Sequence, residues 1–403
     1  MTNEPVGGQR PPRLRVNPAR ATLLLGLPLL AGLAGLTYGA TSQPTASTPP
    51  MAPVSGPDQA GADAVPDEAA APAADTVITM SATGDVIMGS VPNMMPANDG
   101  YGFFDRVAEP LQSDLVMGNL EEALTEDTGT SKCGVNGNGC FQFRLPQSYA
   151  GRLQDAGFDV MNVANNHTHD FGAAGYENTK KALAEHDIDH TGDPDEITLR
   201  EVNGVTVGIV GFAPYSMFNM VSDIPHGQAL VRMADRFADV VVVQAQMGAE
   251  GSDQVNTPYG SEIFYGEDRG DVRAFSRAMV DAGADVIIGH SPHVLRGMEF
   301  YQGRLIAYSL GNFAGGGNTL SNTGPLGLGG ILKVSLKGDG SWAGGEFVST
   351  FMDATGVPTV DDSQQSVQLL ASLNETDFPG TGVSYGPAGE ILVPAQTPPA
   401  ETG

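Results

Sequence analysis

The chain is poor in charge. Only 17% of its 403 residues are Asp, Glu, Lys or Arg, while 53 are Gly and 28 are Pro. Coiled coils and long solvent-bridging helices need far more charge and far less glycine, so both are excluded in favour of a loop-rich body. Basic residues are scarcer still, 20 Lys+Arg against 47 Asp+Glu, for a net charge of −27. So acidic a surface repels phosphate backbones, which excludes a nucleic-acid partner. The ordinary meaning of this charge is solubility. Cysteine is nearly absent, and a chain of this length can bury a core without dense disulfides. The two cysteines, Cys133 and Cys140, frame a Gly/Asn-rich loop. That C-x6-C spacing reads as a small disulfide staple of an exported protein; a zinc knuckle needs further thiols and a different spacing. No internal repeat is present.

Arg10, Arg13, Arg15 and Arg20 precede a stretch, 21–40, without a charged side chain. As a helix rising ~1.5 Å per residue it reaches about 30 Å, the thickness of a bilayer core. Basic flank, apolar segment and acidic remainder together read as a cytoplasmic segment 1–20, a membrane segment 21–40 and an extracytoplasmic body. Bulky Tyr38 sits where a cleavage site wants a small residue, and the apolar run is long for a signal core. Both favour a retained single-pass signal-anchor; Gly39 and Ala40 leave cleavage of a signal peptide and secretion open. No Cys comes after the segment at lipoprotein spacing, which argues against a lipid anchor. Residues 41–75 are rich in Ala, Pro, Ser, Gly and Asp and read as a linker. The folded domain is expected over 76–378, with a Gly/Pro-rich tail over 379–403.

Within the body, short β-branched runs alternate with helical patterns, the signature of an α/β fold. Strands are expected at 76–82, 115–118, 159–164, 205–212, 239–244, 285–288 and 305–309, with additional strands at 331–336 and 345–352. Helices are expected at 146–156, 173–186 and 270–282. The residues just past the strands carry the chemistry: Asp85, Asn119 with Glu121, Asn165-Asn166-His167 with Asp170, Gln246 with Glu250, and His290 with His293. Ligand sites of α/β sheets lie outside the carboxyl ends of the strands, and packing alone does not explain so many polar deliveries to one edge. Asp85, Glu121, Asn166, Gln246, His290 and His293 form a mixed O/N donor set without thiolate, suited to Mn, Fe or Zn. Two such ions would position a water and stabilise phosphoryl charge; His167 would protonate a leaving oxygen, its ring oriented by Asp170. Taken singly, Asp85 could make a turn, Glu121-Glu122 a solvated pair and His167 a loop contact. His169, His186, His190 and His226 read as surface or packing residues.

Gly84-Asp85-Val-Ile-Met88-Gly89, Gly118-Asn119-Leu120-Glu121, Ala164-Asn165-Asn166-His167-Thr-His-Asp170, Gly289-His290-Ser-Pro292-His293 and Tyr308-Ser309-Leu310-Gly311-Asn312-Phe313 occur in that order. Over roughly 78–315 this set resembles the CapA/PgsA capsule-synthesis family of poly-γ-glutamate biosynthesis proteins. The resemblance implies a calcineurin-like metallophosphoesterase fold, a four-layer sandwich of two mixed β-sheets flanked by helices with metals at the strand ends. It implies metal-site roles for Asp85, Glu121, Asn166, His290 and His293, with His167 beside the metals. The sequence departs from the family at Gln246, where the family carries His, and at Ile87, where classical phosphoesterases carry a metal-ligating His. The implied partners are polymer synthase subunits and an anionic polymer. A chain this acidic would need local cations to handle such a polymer, either metals or an arginine such as Arg296. Three functions fit these residues: an anchored capsule-synthesis protein, a stand-alone metal-dependent phosphoester hydrolase of the envelope, and a non-catalytic polymer-binding scaffold.

Overall fold

Strands buried on both faces read as continuous apolar runs, and such runs build the centre of this protein. The computed structural model describes residues 75–127, 129–134 and 139–394, together with the backbone of Arg13–Val16. The rest of the basic segment 1–20, the apolar segment 21–40 and the linker up to 74 lie outside the described residues. One sheet of eight strands runs Pro358–Val360, Trp342–Met352, Leu328–Lys337, Val77–Ile87, Leu115–Leu120, Val160–Asn162, Asp189–Thr191, with Asn312–Gly315 pairing beside Val77–Ile87. A second, of seven, runs Arg13–Val16, Glu196–Val202, Val205–Phe212, Val240–Gln246, Val286–His290, Arg304–Leu310, Leu295–Tyr301. Both are mixed: the first is parallel from Val77–Ile87 through to Asp189–Thr191 and antiparallel on its other side, and the second is parallel from Val205–Phe212 to Arg304–Leu310 with an antiparallel pair on each side of that run.

Period-two alternation sorts the side chains. Along Val240–Gln246, Val240 and Val242 enter the core shared by the two sheets, while Val241, Val243 and Ala245 face outward. Ile78, Met80, Ala82, Leu115 and Met117 meet them from the other sheet. Each such fully buried aliphatic side chain contributes roughly 1.5–3 kcal/mol relative to exposure. Helices cover the outward faces: Ala150–Ala156 and Gly172–Glu185 on the first sheet, Ile224–Ala234 and Val272–Asp281 on the second. Asp223 and Asp271 cap the latter two by accepting from the backbone of His226 and Ala274. This is the four-layer α/β sandwich expected from the resemblance.

Several boundaries move. The first strand runs on to Ile87, so Asp85 lies inside it rather than in a following turn. The helices Ile224–Ala234 and Gln365–Asp377 were not anticipated. Nor does the packed chain stop at 378. Ser384–Tyr385 pairs with Ile391–Leu392, and Val383 and Ile391 join the central core, so the first part of the expected tail belongs to the body. Cys133 and Cys140 form the expected disulfide, with Cα atoms 5.6 Å apart. Among the described residues no helix is long and apolar enough to cross a membrane.

The extension of the first strand depends on a close backbone approach. Asp85 donates its N–H to Gly311 O at 3.0 Å, and a Cβ on Gly84 would stand 1.9 Å from that same oxygen. Gly84→Ala must therefore push two strands apart, and it is expected to cost at least about 1–3 kcal/mol, read as a lower urea midpoint. An unchanged midpoint would show that the approach is not needed.

Candidate metal centre

Sheet register brings polar residues into two rows at one edge. In the first sheet Asn312 pairs with Asp85, Asp85 with Asn119 and Asn119 with Asn162. In the second, Gln246 pairs with His290. A register shift between Ala82 and Asp85 re-aims the strand where it delivers the carboxylate. His290 is placed by a second tight approach, because a Cβ on the preceding Gly289 would meet Tyr308 O at 2.1 Å. Beyond it, Ser291 and His293 adopt φ of 101° and 60°. Such backbone costs of order 1–3 kcal/mol per residue and persists only where surrounding structure enforces it.

The rows meet in a buried cluster. Asp85 and Glu121 are fully buried, and one ligand atom from each lies with one from His293 in a group spanning no more than 4.8 Å. His293 Nδ1 is 3.0 Å from Asp85 Oδ2 and 3.8 Å from Glu121 Oε2. His290 Nδ1 is 3.8 Å from Asp85 Oδ1. Around them the supports are amides. Asn119 Nδ2 donates to Asp85 Oδ1 at 2.8 Å, and Asn162 and Asn165 donate to Asn119 Oδ1 at 3.0 and 3.2 Å. Gln244 Oε1 lies 3.2 Å from His290 Nε2, and Asn312 Oδ1 lies 2.9 Å from His293 Nδ1.

Electrostatics and hydrogen bonding both indicate what is needed here. Burial would raise the Asp85 carboxyl, but His293, His290 and Asn119 outweigh it and hold Asp85 below its usual range. Burial and the neighbouring Asp85 charge push Glu121 well up. Burial opposes a charge on His293, yet Glu121, Asp85 and Glu250 outweigh it and push its pKa up to about 10. Burial pulls His290 down to about 4, leaving it neutral at pH 7. Glu121 Oε2 and His290 Nδ1 are buried without a hydrogen-bond partner, and Asp85 Oδ2 faces His293 Nδ1 at 3.0 Å. Unpaired acceptors of this kind are costly, and a cation satisfies all of them at once. Ligands held about 2.0–2.2 Å from one ion in tetrahedral geometry stand about 3.3–3.6 Å apart, and His293 Nδ1 lies 3.0 and 3.8 Å from the two carboxylate oxygens. The residues fit a divalent transition metal.

Asn166 and Gln246 lie at the same edge and bond one another: Asn166 N donates to Gln246 Oε1 at 2.9 Å. Gln246 Nε2 stands 3.0 Å from Glu121 Oε1 and from Asn166 Oδ1. His167 is 6% exposed, and its Nδ1 is 2.7 Å from Asp170 Oδ2, as the orienting role expected of Asp170 requires. Burial lowers the His167 pKa against the opposing pull of Asp170. Asp170 also accepts from Phe143 N at 2.7 Å and lies 3.0 Å from Lys132 Nζ. A cavity of about 800 Å³ opens beside these groups, with Asn166, His167, Glu250 and His293 on one wall and Phe141, Tyr215 and Phe264 on another.

Two expectations change. Glu121-Glu122 is no solvated pair: both are fully buried, and burial takes Glu122 to about 8. Arg296 supplies no free cation, being fully buried against Glu262 at 2.7 Å. The cations that line the cavity are Lys132 and Arg269, the latter paired to Glu250 at 2.7 Å. Of the two roles open to His190, it takes the buried one, 3.6 Å from Asp193. Asn119, Asn162, Gln244, Asn312 and Lys132 were missed as supports; the row of amides at strand ends was the only available signal for the first four.

A family model described as bacterial capsule synthesis protein PGA_cap matches residues 79–316. The chain is 30% identical over 326 residues to the PGA biosynthesis protein CapA of Bacillus subtilis (strain 168), across 75% of this chain and 79% of that protein. It is 33% identical over 248 residues to the capsule biosynthesis protein CapA of Bacillus anthracis, across 59% of each. Among solved structures, a putative 5'-nucleotidase from Staphylococcus aureus superposes with a TM-score of 0.41 and 13% identity, over 74% of this chain and 58% of that one.

The low pKa of His290 gives a signed expectation. A histidine lowered from about 6.5 to about 4 on folding binds fewer protons in the native state. The stability it contributes is complete above pH 6.5 and is lost as pH falls towards 4, on the order of 3 kcal/mol. Metal-free His290→Gln protein should lose less stability than the parent between pH 6.5 and 4.5 in urea titrations. Equal slopes would contradict a neutral, buried His290.

Proposed function

The chain belongs to the bacterial capsule synthesis protein family, and from that premise we propose that it acts in making, exporting or attaching an anionic capsular polymer such as poly-γ-glutamate. Its body works on the extracytoplasmic face of the cell membrane, held there by 21–40 as a single-pass signal-anchor or released if that segment is cleaved. The observation that carries the reading is the family match over 79–316, which spans Asp85, Glu121, Asn166, Gln246, His290 and His293. The uncharged 21–40 stretch behind four arginines supports the location. On this reading residues 1–20 lie across the bilayer from the body. The parallel pairing of Arg13–Val16 with Glu196–Leu199 does not fit that separation. The family role implies synthase subunits as partners.

Chemically, the centre is read as a site for Mn, Fe or Zn. When bound, such an ion polarises an oxygen of the substrate and lowers the pKa of bound water. The chain's own residues do the rest. Asn119 holds the Asp85 carboxylate, and Gln244 holds the His290 ring so that Nδ1 stays free. Asp170 fixes Nδ1 of His167, leaving Nε2 as the atom able to give or take a proton at a leaving oxygen. An anionic chain brought to so acidic a protein meets local positive charge from the metal and from Lys132, which lines the cavity and is partly exposed. The His167–Asp170 pair beside the cluster also favours a second reading, a stand-alone metal-dependent phosphoester hydrolase of the envelope.

Deleting the gene is expected to remove most of the capsular polymer from the envelope, and restoring it in trans to return it. Unchanged polymer content would contradict the capsular reading. On the hydrolytic reading, His167→Ala lowers turnover of the cleaved substrate by about 10²–10⁴ while bound metal stays the same. Parental turnover in that variant would rule out His167 as the proton donor.

A further inference from the structure

One contact fixes the orientation of the Gln246 amide. Its Oε1 lies 2.9 Å from the backbone nitrogen of Asn166. A backbone N–H only donates, so oxygen is the atom there and the NH2 group faces the other way. On that side Nε2 is 3.0 Å from Glu121 Oε1 and 3.0 Å from Asn166 Oδ1. An amide NH2 carries two protons, and here each meets one acceptor. Gln246 is fully buried, so water does not compete for these bonds. A neutral amide thus stands between a carboxylate oxygen and a carboxamide oxygen, the two hard donors this half of the site could offer a cation. Admitting an ion would require the amide to turn over, setting NH2 against the Asn166 N–H in a buried place.

The other half is built differently. His293 Nδ1 lies 3.0 Å from Asp85 Oδ2 and 3.8 Å from Glu121 Oε2, and Glu121 Oε2 lacks a hydrogen-bond donor. His290 Nε2 is held by Gln244, and its unpaired Nδ1 lies 3.8 Å from Asp85 Oδ1. Two carboxylates and the His293 imidazole, whose ligand atoms lie within 4.8 Å of one another, are a sufficient donor set for one divalent transition metal.

The geometry points to a mononuclear centre: this chain holds one divalent ion on Asp85, Glu121 and His293, with His290 beside them, and the Gln246 amide fills the place of a second with hydrogen bonds. This rests on the metal reading above and narrows it from two ions to one. It also gives Gln246 a role of its own. The residue does not weakly imitate a histidine ligand; it satisfies Glu121 and Asn166 without a cation.

The test is the manganese content of the full chain, purified without chelator, loaded with Mn2+ and freed of loosely bound ion. About one Mn per chain is expected, with the six-line electron paramagnetic resonance signal of an isolated Mn2+. Gln246→His should raise the content towards about two and replace that signal with a spin-coupled one. His293→Ala should lose the ion while circular dichroism shows the fold retained. Two ions with a coupled signal in the parent would overturn the single-ion inference and leave the metal reading standing. No retained ion in the parent would overturn both. A single ion in Gln246→His would overturn the claim that the amide excludes the second.

Discussion

Two carboxylates, Asp85 and Glu121, are buried side by side without solvent contact, and the rest of the site is organised around that fact. In a low-dielectric interior an uncompensated carboxylate is too costly to keep ionised, and two neighbours aggravate each other. The protein divides the problem unequally. Asp85 is kept charged by imidazoles and by a chain of amides from Asn119 back to Asn162 and Asn165, whereas Glu121 is left high. A cation between the two carboxylates would relieve that asymmetry, and a neutral amide at 246 adds no further charge beside them.

The backbone serves the same end. Strand extension to Ile87, the register shift before Asp85, the glycines at 84 and 289 and the left-handed residues after His290 all place polar groups at one edge of two packed sheets. The apolar layers beneath them are redundant by comparison. Many aliphatic residues share the core between the sheets, whereas Asp85, Glu121 and His293 each offer a single ligand atom to the cluster.

Much of this was legible in the sequence because the signal is local. An apolar run followed by a carboxylate, carboxamide or imidazole marks a strand end, and the seven strands expected between 76 and 309 were found within about five residues by that rule, whereas Asp189–Thr191, Glu196–Val202 and Leu295–Tyr301 were not anticipated. Non-local pairings left no such trace. The partner of Arg296 is Glu262, 34 residues away, so the arginine read as a free cation. Lys132 reaches Asp170 only through the folded loop. The short strands at Ser384–Tyr385 and Ile391–Leu392 are two residues each, too brief for any period to show in a Gly/Pro-rich context. The burial of Glu122 was hidden because adjacent glutamates ordinarily stay in water.

The central claim is that a capsule-synthesis role runs through this buried cluster rather than through the fold's surface alone. Complementation of a gene-deletion strain with the Asp85→Asn chain, followed by capsular polymer quantification, tests it most directly. The substitution keeps size and removes only the charge that the cluster is built to hold. With the variant present at parental abundance in the cell envelope, polymer should stay at the deletion level. Full restoration of polymer would contradict this claim and make the protein a scaffold whose metal centre is dispensable.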